Sequence, residues 1–144
     1  MIEEIYDFLI NYGFKNDELN NFQRLNEDLY FANLGIVKTN IEFLENKGLE
    51  KNKIINNIQK NPFMLTCGSK KKQMLEEIYN SIFTLEEIKA LIIQYPSLYT
   101  VNPLELQEVI DYINSKKVNL KDYINNNPKI LSFDLDEIKN YMGE

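Results

Sequence analysis

At 144 residues, with 44% hydrophobic and 26% charged residues, the chain is the size of one domain and can bury a core without disulfides or metal. A net charge of −6, a single cysteine and no histidine exclude a disulfide framework, a multi-cysteine zinc site and the usual histidine-based catalytic and metal-binding constellations. The acidic start Met1-Ile2-Glu3-Glu4-Ile5-Tyr6-Asp7 has neither signal-peptide nor transit-peptide character, and no apolar run reaches the roughly 18 residues of a bilayer span, so a cytoplasmic protein, complete as written and without a membrane partner, is expected.

In chain order, apolar periodicity predicts helices over 2–12, 16–25, 34–47, 51–60, 70–81, 85–94, 103–115, 119–126 and 134–142. The first stretch, Phe8-Leu9-Ile10-Asn11-Tyr12-Gly13-Phe14, matches Phe43-Leu44-Glu45-Asn46-Lys47-Gly48-Leu49 at an offset of 35 residues, and Leu19 aligns with Ile54. Gly13 and Gly48 stand where a helix must end on a left-handed residue. Glu27-Asp28-Leu29-Tyr30 then takes the place of Pro62-Phe63-Met64-Leu65, a degraded copy that has lost its proline and keeps an apolar pair.

The later copies are sharper. Pro62, Pro96 and Pro128 lie 34 and 32 residues apart, with apolar residues eight and four positions before each: Ile54 and Ile58, Ile88 and Ile92, Leu120 and Ile124. That is one helix face, stopped at the residue before proline because the ring excludes the helical conformation there. Two and three residues beyond come Met64-Leu65, Leu98-Tyr99 and Ile130-Leu131, read as a tight 3₁₀ turn that plugs the layer. A hydroxyl follows each pair, Thr66, Thr100 and Ser132, expected to cap the next helix. Capping boxes are predicted for Thr84 with Glu87, Asn102 with Glu105, and Asp134 with Glu137.

A supersecondary unit recurring every thirty-odd residues predicts a stacked array. The expected fold is all-α, a right-handed-type helical-repeat solenoid of about four helix–helix–3₁₀ units. It forms a single domain with repeats near 1–33, 34–68, 69–101 and 102–133 and a capping helix at 134–144.

On these residues the unit resembles the repeat of the mitochondrial transcription termination factor (mTERF) family: two helices and a 3₁₀ turn, a proline after the second helix and a leucine three residues later. Pro62, Pro96 and Pro128 match the proline, Leu65 and Leu131 the leucine, with Tyr99 substituting. Thr84-Leu85-Glu86-Glu87-Ile88-Lys89-Ala90-Leu91-Ile92-Ile93-Gln94-Tyr95-Pro96-Ser97-Leu98 is similar to the family over a whole second helix. The likeness is carried by residues 40 to 142 and is weaker over the first 39. It implies a non-enzymatic superhelix whose basic concave groove binds double-stranded DNA or structured RNA, including in transcription.

Basic residues cluster in one place. Between residues 47 and 72, Lys47, Lys51, Lys53, Lys60, Lys70, Lys71 and Lys72 face one acid, Glu50. Such lysines neutralise phosphates with salt-sensitive, sequence-independent affinity, and they are the candidate nucleic-acid-binding residues; a solvated helix face is the plainer reading. Glu3, Glu4, Asp7, Asp17 and Glu18, with Asp134, Asp136 and Glu137, suggest the alternative: an acidic interaction scaffold, or an inhibitor of a nucleic-acid-handling protein, with a basic protein partner.

No catalytic residues, cofactor or metal are predicted. Cys67 has no partner base, adjacent acids such as Glu76-Glu77 do not share a helix face, and Gly68-Ser69-Lys70 lacks the upstream glycine of a phosphate loop. The aromatics, among them Phe8, Phe43, Phe63, Tyr99 and Tyr112, are assigned to core packing. Twenty asparagines read as the composition bias of an AT-rich genome and not as a functional signal.

Overall fold

The computed structural model describes residues 1–143, which fold into α-helices and short 3₁₀ turns without a strand among the described residues. The chain divides into two compact units, Met1–Gly68 and Ser69–Glu144.

The first unit contains α1 (Glu3–Tyr12), α2 (Asn16–Leu25), a 3₁₀ turn (Glu27–Tyr30), α3 (Leu34–Asn46), α4 (Lys51–Lys60) and a second 3₁₀ turn (Pro62–Thr66). Ile54 and Ile58 on α4, and Leu19 at the aligned position of α2, are buried as expected, together with Ile5 and Leu9 on α1, Phe22 on α2, and Val37, Ile41 and Leu44 on α3. Gly13 and Gly48 end α1 and α3 at φ +130° and +87°, a region that L-residues avoid.

The second unit contains α5 (Ser69–Asn80), α6 (Leu85–Gln94), a turn over 96–100, α7 (Pro103–Asn114), α8 (Leu120–Asn126), a 3₁₀ turn (Pro128–Ser132) and α9 (Leu135–Tyr141). Here α7 packs against α5, α8, α9 and the 128–132 turn. The last helix was expected to reach 144, and Glu144 lies outside the described residues.

Each proline stops its helix as expected. The preceding residues Asn61, Tyr95 and Asn127 have φ near −140 to −130° (−144, −129 and −138°) with ψ of 78, 87 and 60°, outside the helical region. Asn26 adopts the same conformation, φ −120° and ψ 91°, although Glu27 follows it and not a proline. The degraded first copy therefore keeps the repeat's backbone without its ring. The apolar pairs Met64-Leu65, Leu98-Tyr99 and Ile130-Leu131 are each at most 2% exposed.

Four expectations need correction. The segment after Pro96 is a succession of turns and not a 3₁₀ helix, because its bonds from Leu98 N to Tyr95 O (3.1 Å) and from Thr100 N to Ser97 O (3.0 Å) are not consecutive. The hydroxyls do not cap the next helix. Thr100 and Ser132 donate back to the carbonyls of Ser97 (3.2 Å) and Lys129 (3.0 Å), and Thr66 accepts from Asn26 Nδ2 (2.9 Å). One residue, Val101 or Phe133, separates Thr100 and Ser132 from the caps Asn102 and Asp134. Thr84 with Glu87 and Asp134 with Glu137 form reciprocal boxes, whereas Asn102 Oδ1 takes the amides of both Leu104 and Glu105 without a returning bond. Finally, Tyr30 and Phe63, assigned to plugs, are 52% and 53% exposed, while Phe8, Phe43 and Tyr112 are half-buried.

The buried turns raise a hydrogen-bonding problem, since a short 3₁₀ segment leaves carbonyls unpaired that water cannot reach. Side chains from other elements solve it. Asn26 Nδ2 donates to Pro62 O and Asn40 Nδ2 to Leu65 O, both at 3.1 Å. In the second unit, the Tyr79 hydroxyl donates to Leu98 O at 2.5 Å and Lys71 Nζ to Thr100 O at 2.9 Å. Asparagines whose number reads as composition bias thus include structural donors, and Asn26, Asn40, Asn57 and Asn61 are all buried.

Replacing Asn40 by Leu keeps the branching and the number of side-chain heavy atoms but strands the Leu65 carbonyl, and urea unfolding is expected to show a loss of about 1–3 kcal/mol; no loss would mean that the carbonyl finds another donor. A second expectation concerns alkali. Tyr12 is pushed up to about 12 by burial, then by the charge and hydrogen bond of Glu45. Burial likewise raises Tyr79, Tyr99 and Tyr123. A raised folded-state pKa stabilises below the unfolded tyrosine value of about 10 and loses that contribution as pH climbs through the folded value. Burial lowers the pKa of Lys47, which acts in the opposite sense, but it is one group against four. Unfolding free energy should therefore fall between about pH 10 and 12, and Tyr79→Phe should soften that fall while costing stability at neutral pH.

Candidate nucleic-acid interface

The seven candidate lysines occupy three different environments. Lys47, at the C-terminal end of α3, is only 8% exposed, and its ammonium lies 4.9 Å from the Phe43 ring centroid. Desolvation there lowers its pKa, which is the direction expected of a cation removed from water. Lys72, in the first turn of α5, is 4% exposed. Lys71 is half-buried, with its ammonium on the Thr100 carbonyl.

The remaining four are exposed: Lys51, Lys53 and Lys60 on α4, and Lys70 at the start of α5. On α4 the buried stripe of Ile54, Asn57 and Ile58 fixes which way the others face. Lys53 and Lys60 are seven residues apart, so they lie on one stripe separated by about 10 Å along the axis. Lys51 lies on another flank, with its ammonium 4.8 Å from the Tyr12 centroid. Its charge remains exposed while the ring holds it in place. No acid interrupts α4 between Lys51 and Lys60.

The N-terminal turns of α4 and α5 carry lysines where the helix dipole disfavours cations. Phosphate at such a site would meet both the ammonium groups and the positive end of the helix dipole.

Other features have no counterpart in the sequence reading. Lys121 pairs with Glu87 at 3.0 Å across 34 residues, and this pair adds to the amide bond of Thr84 in holding the Glu87 carboxyl below its usual range. Lys116 and Lys139 both approach the Tyr112 ring, at 4.7 and 5.9 Å, and Lys129 stands 4.8 Å from the Tyr141 ring. The contacts of Lys121, Lys139 and Lys129 join residues 12 or more apart and leave no local signature, whereas Lys116 and Tyr112 are only four apart. Exposed aromatics were also missed. Phe31, 89% exposed, stands at the register that Thr66, Thr100 and Ser132 occupy in the other copies, so the departure from the repeat was a usable signal.

Among the described residues, no group of acids and cysteine is arranged to hold a metal ion, and no helix is long and apolar enough to cross a membrane. Cys67 is buried.

A comparison with curated proteins gave no match. The family model for mTERF, however, matches residues 1–140 and thus includes the first 39 residues, where the repeat's proline is missing. With proline-stopped helices, apolar plugs and an all-helical repeat across that span, the chain belongs to the mTERF family, whose members are generally non-enzymatic, nucleic-acid-binding helical-repeat proteins.

Proposed function

We propose that this protein binds duplex DNA or structured RNA without catalysing a reaction, contacting phosphates through the exposed lysines of its central segment. The observation that carries the reading is the family match across residues 1–140, joined to an acid-free α4 that presents Lys51, Lys53 and Lys60 to solvent. Lys70 supplies a further exposed ammonium at the start of α5.

The mechanism is electrostatic. Lysine is a point charge with rotatable donors, suited to phosphate oxygens and poorly suited to bidentate reading of a base edge. With one arginine in the chain, Arg24, little sequence discrimination by direct base contact is expected. Lys47, Lys71 and Lys72 have a structural role in this reading, since their ammonium groups are held at a ring, at a carbonyl or below the surface. The net charge of −6 limits long-range attraction, so binding is local and weak at physiological salt.

Fluorescence anisotropy with a labelled DNA duplex and an RNA hairpin at low salt tests this. Reversing Lys53 and Lys60 to Glu should weaken binding by about tenfold or more and reduce the salt slope by about one per lysine. Thermal unfolding should be unchanged. Lys71→Ala should instead lower thermal stability, with a smaller effect on affinity per folded molecule. Equal affinity of the Lys53/Lys60 double variant and the parent would contradict the assignment.

A further inference from the structure

The first unit carries a second feature, opposite in charge to α4. The 3₁₀ turns at 27–30 and 62–66 pack against one another and are tied by the bonds of Asn26 to Pro62 O and to Thr66 Oγ1. Between them and the start of α3 lies a pocket of about 290 Å³ lined by Asp28, Phe31, Ala32, Asn33, Ile36 and Thr66.

Its chemistry is specific. Residues three apart in a 3₁₀ turn eclipse one another, so Asp28 and Phe31 project on one side of the first turn, with Phe31 N bonded to Asp28 O at 3.1 Å. By the same rule Phe63 lies on the Thr66 side of the second turn. Asn33 Oδ1 already accepts the Ile36 amide at 2.9 Å, and Thr66 Oγ1 accepts from Asn26. The charged group in the lining is the exposed Asp28 carboxylate, beside the alkyl wall of Ala32 and Ile36 and a Phe31 ring that is 89% exposed. An anionic end, an apolar wall and an open aromatic face are what an arginine or lysine side chain requires: a charge partner, cover for its stem and a cation–π surface.

We propose that this pocket docks a basic side chain on a segment of a partner protein. Charge complementarity selects that occupant. Residues 1–46 carry nine acids against Lys15, Arg24 and Lys38, a field that attracts a basic segment and repels the phosphates a stacked nucleobase would bring. The volume is at the lower edge of small-molecule sites, which span about 300–1,000 Å³. With Phe31 and Phe63 both exposed nearby, the surface suits a side-chain anchor on a protein interface. None of the α4 lysines lines this pocket, so the two sites draw on different residues.

The test uses the full chain and a fluorescein-labelled peptide of alternating arginine and leucine, with a glutamate-for-arginine peptide as control. Binding of the basic peptide alone is expected, weakened about tenfold by Asp28→Asn and by Phe31→Ala. Glu3→Gln/Glu4→Gln, which removes exposed acids outside the pocket, should leave most of the affinity. Duplex affinity should be the same in all of these variants, which separates this site from the lysine reading. Thermal unfolding checks the fold, and should Phe31→Ala disturb it, Asp28→Asn alone decides. The proposal is overturned if neither pocket variant weakens the peptide, if Glu3→Gln/Glu4→Gln weakens it as much, or if single-stranded RNA and not the peptide shifts the Phe31 and Ile36 NMR signals.

Discussion

The fold depends on how buried turns satisfy their carbonyls. A proline-stopped helix followed by an apolar pair brings peptide groups into the core together with Met64 and Leu65, or Leu98 and Tyr99. An unpaired buried carbonyl costs about 1–3 kcal/mol, comparable to what burying one apolar side chain contributes. A plug without donors would therefore gain little. Asn26, Asn40, Tyr79 and Lys71 supply those donors from outside the turn, and each ties its turn to another element of the same unit.

That constraint also separates lysines that a sequence presents as equivalents. A run such as Lys70-Lys71-Lys72 looks like a uniform basic patch, yet the three side chains are respectively exposed, bonded to the Thr100 carbonyl and buried. Lys47, likewise, lies against Phe43 with its pKa lowered by burial. Charge counted along the chain therefore overstates the charge available to a ligand. The exposed remainder is concentrated on α4, where the period of the buried stripe places Lys53 and Lys60 together.

Much of the scaffold was legible because its signals are local. Helix stops depend on proline at the next residue, helix ends on Gly13 and Gly48, and starts on Thr84 and Asp134; all of these act within four residues. The match between copies could even be followed where the proline was lost, since Asn26 keeps the pre-proline backbone. What was not legible is contact between distant residues. Asn40 reaching Leu65 and Tyr79 reaching Leu98 are indistinguishable in sequence from the surface asparagines and core tyrosines around them. The exposed rings at Phe31 and Phe63 escaped because the repeat pattern assigns aromatics to the core and says nothing of which side of a turn they face. For Phe31, the hydroxyl found at that register in the other copies would have given the warning.

The central functional claim is that a few exposed lysines, and not the whole basic run, meet phosphate. The slope of log affinity against log salt for a DNA duplex measures this most directly, because each neutralised phosphate contributes about −0.9. Contacts by Lys51, Lys53, Lys60 and Lys70 predict a slope of about −2 to −4. A slope near zero would contradict phosphate binding, and one near −6 would require cations beyond these four to take part as well.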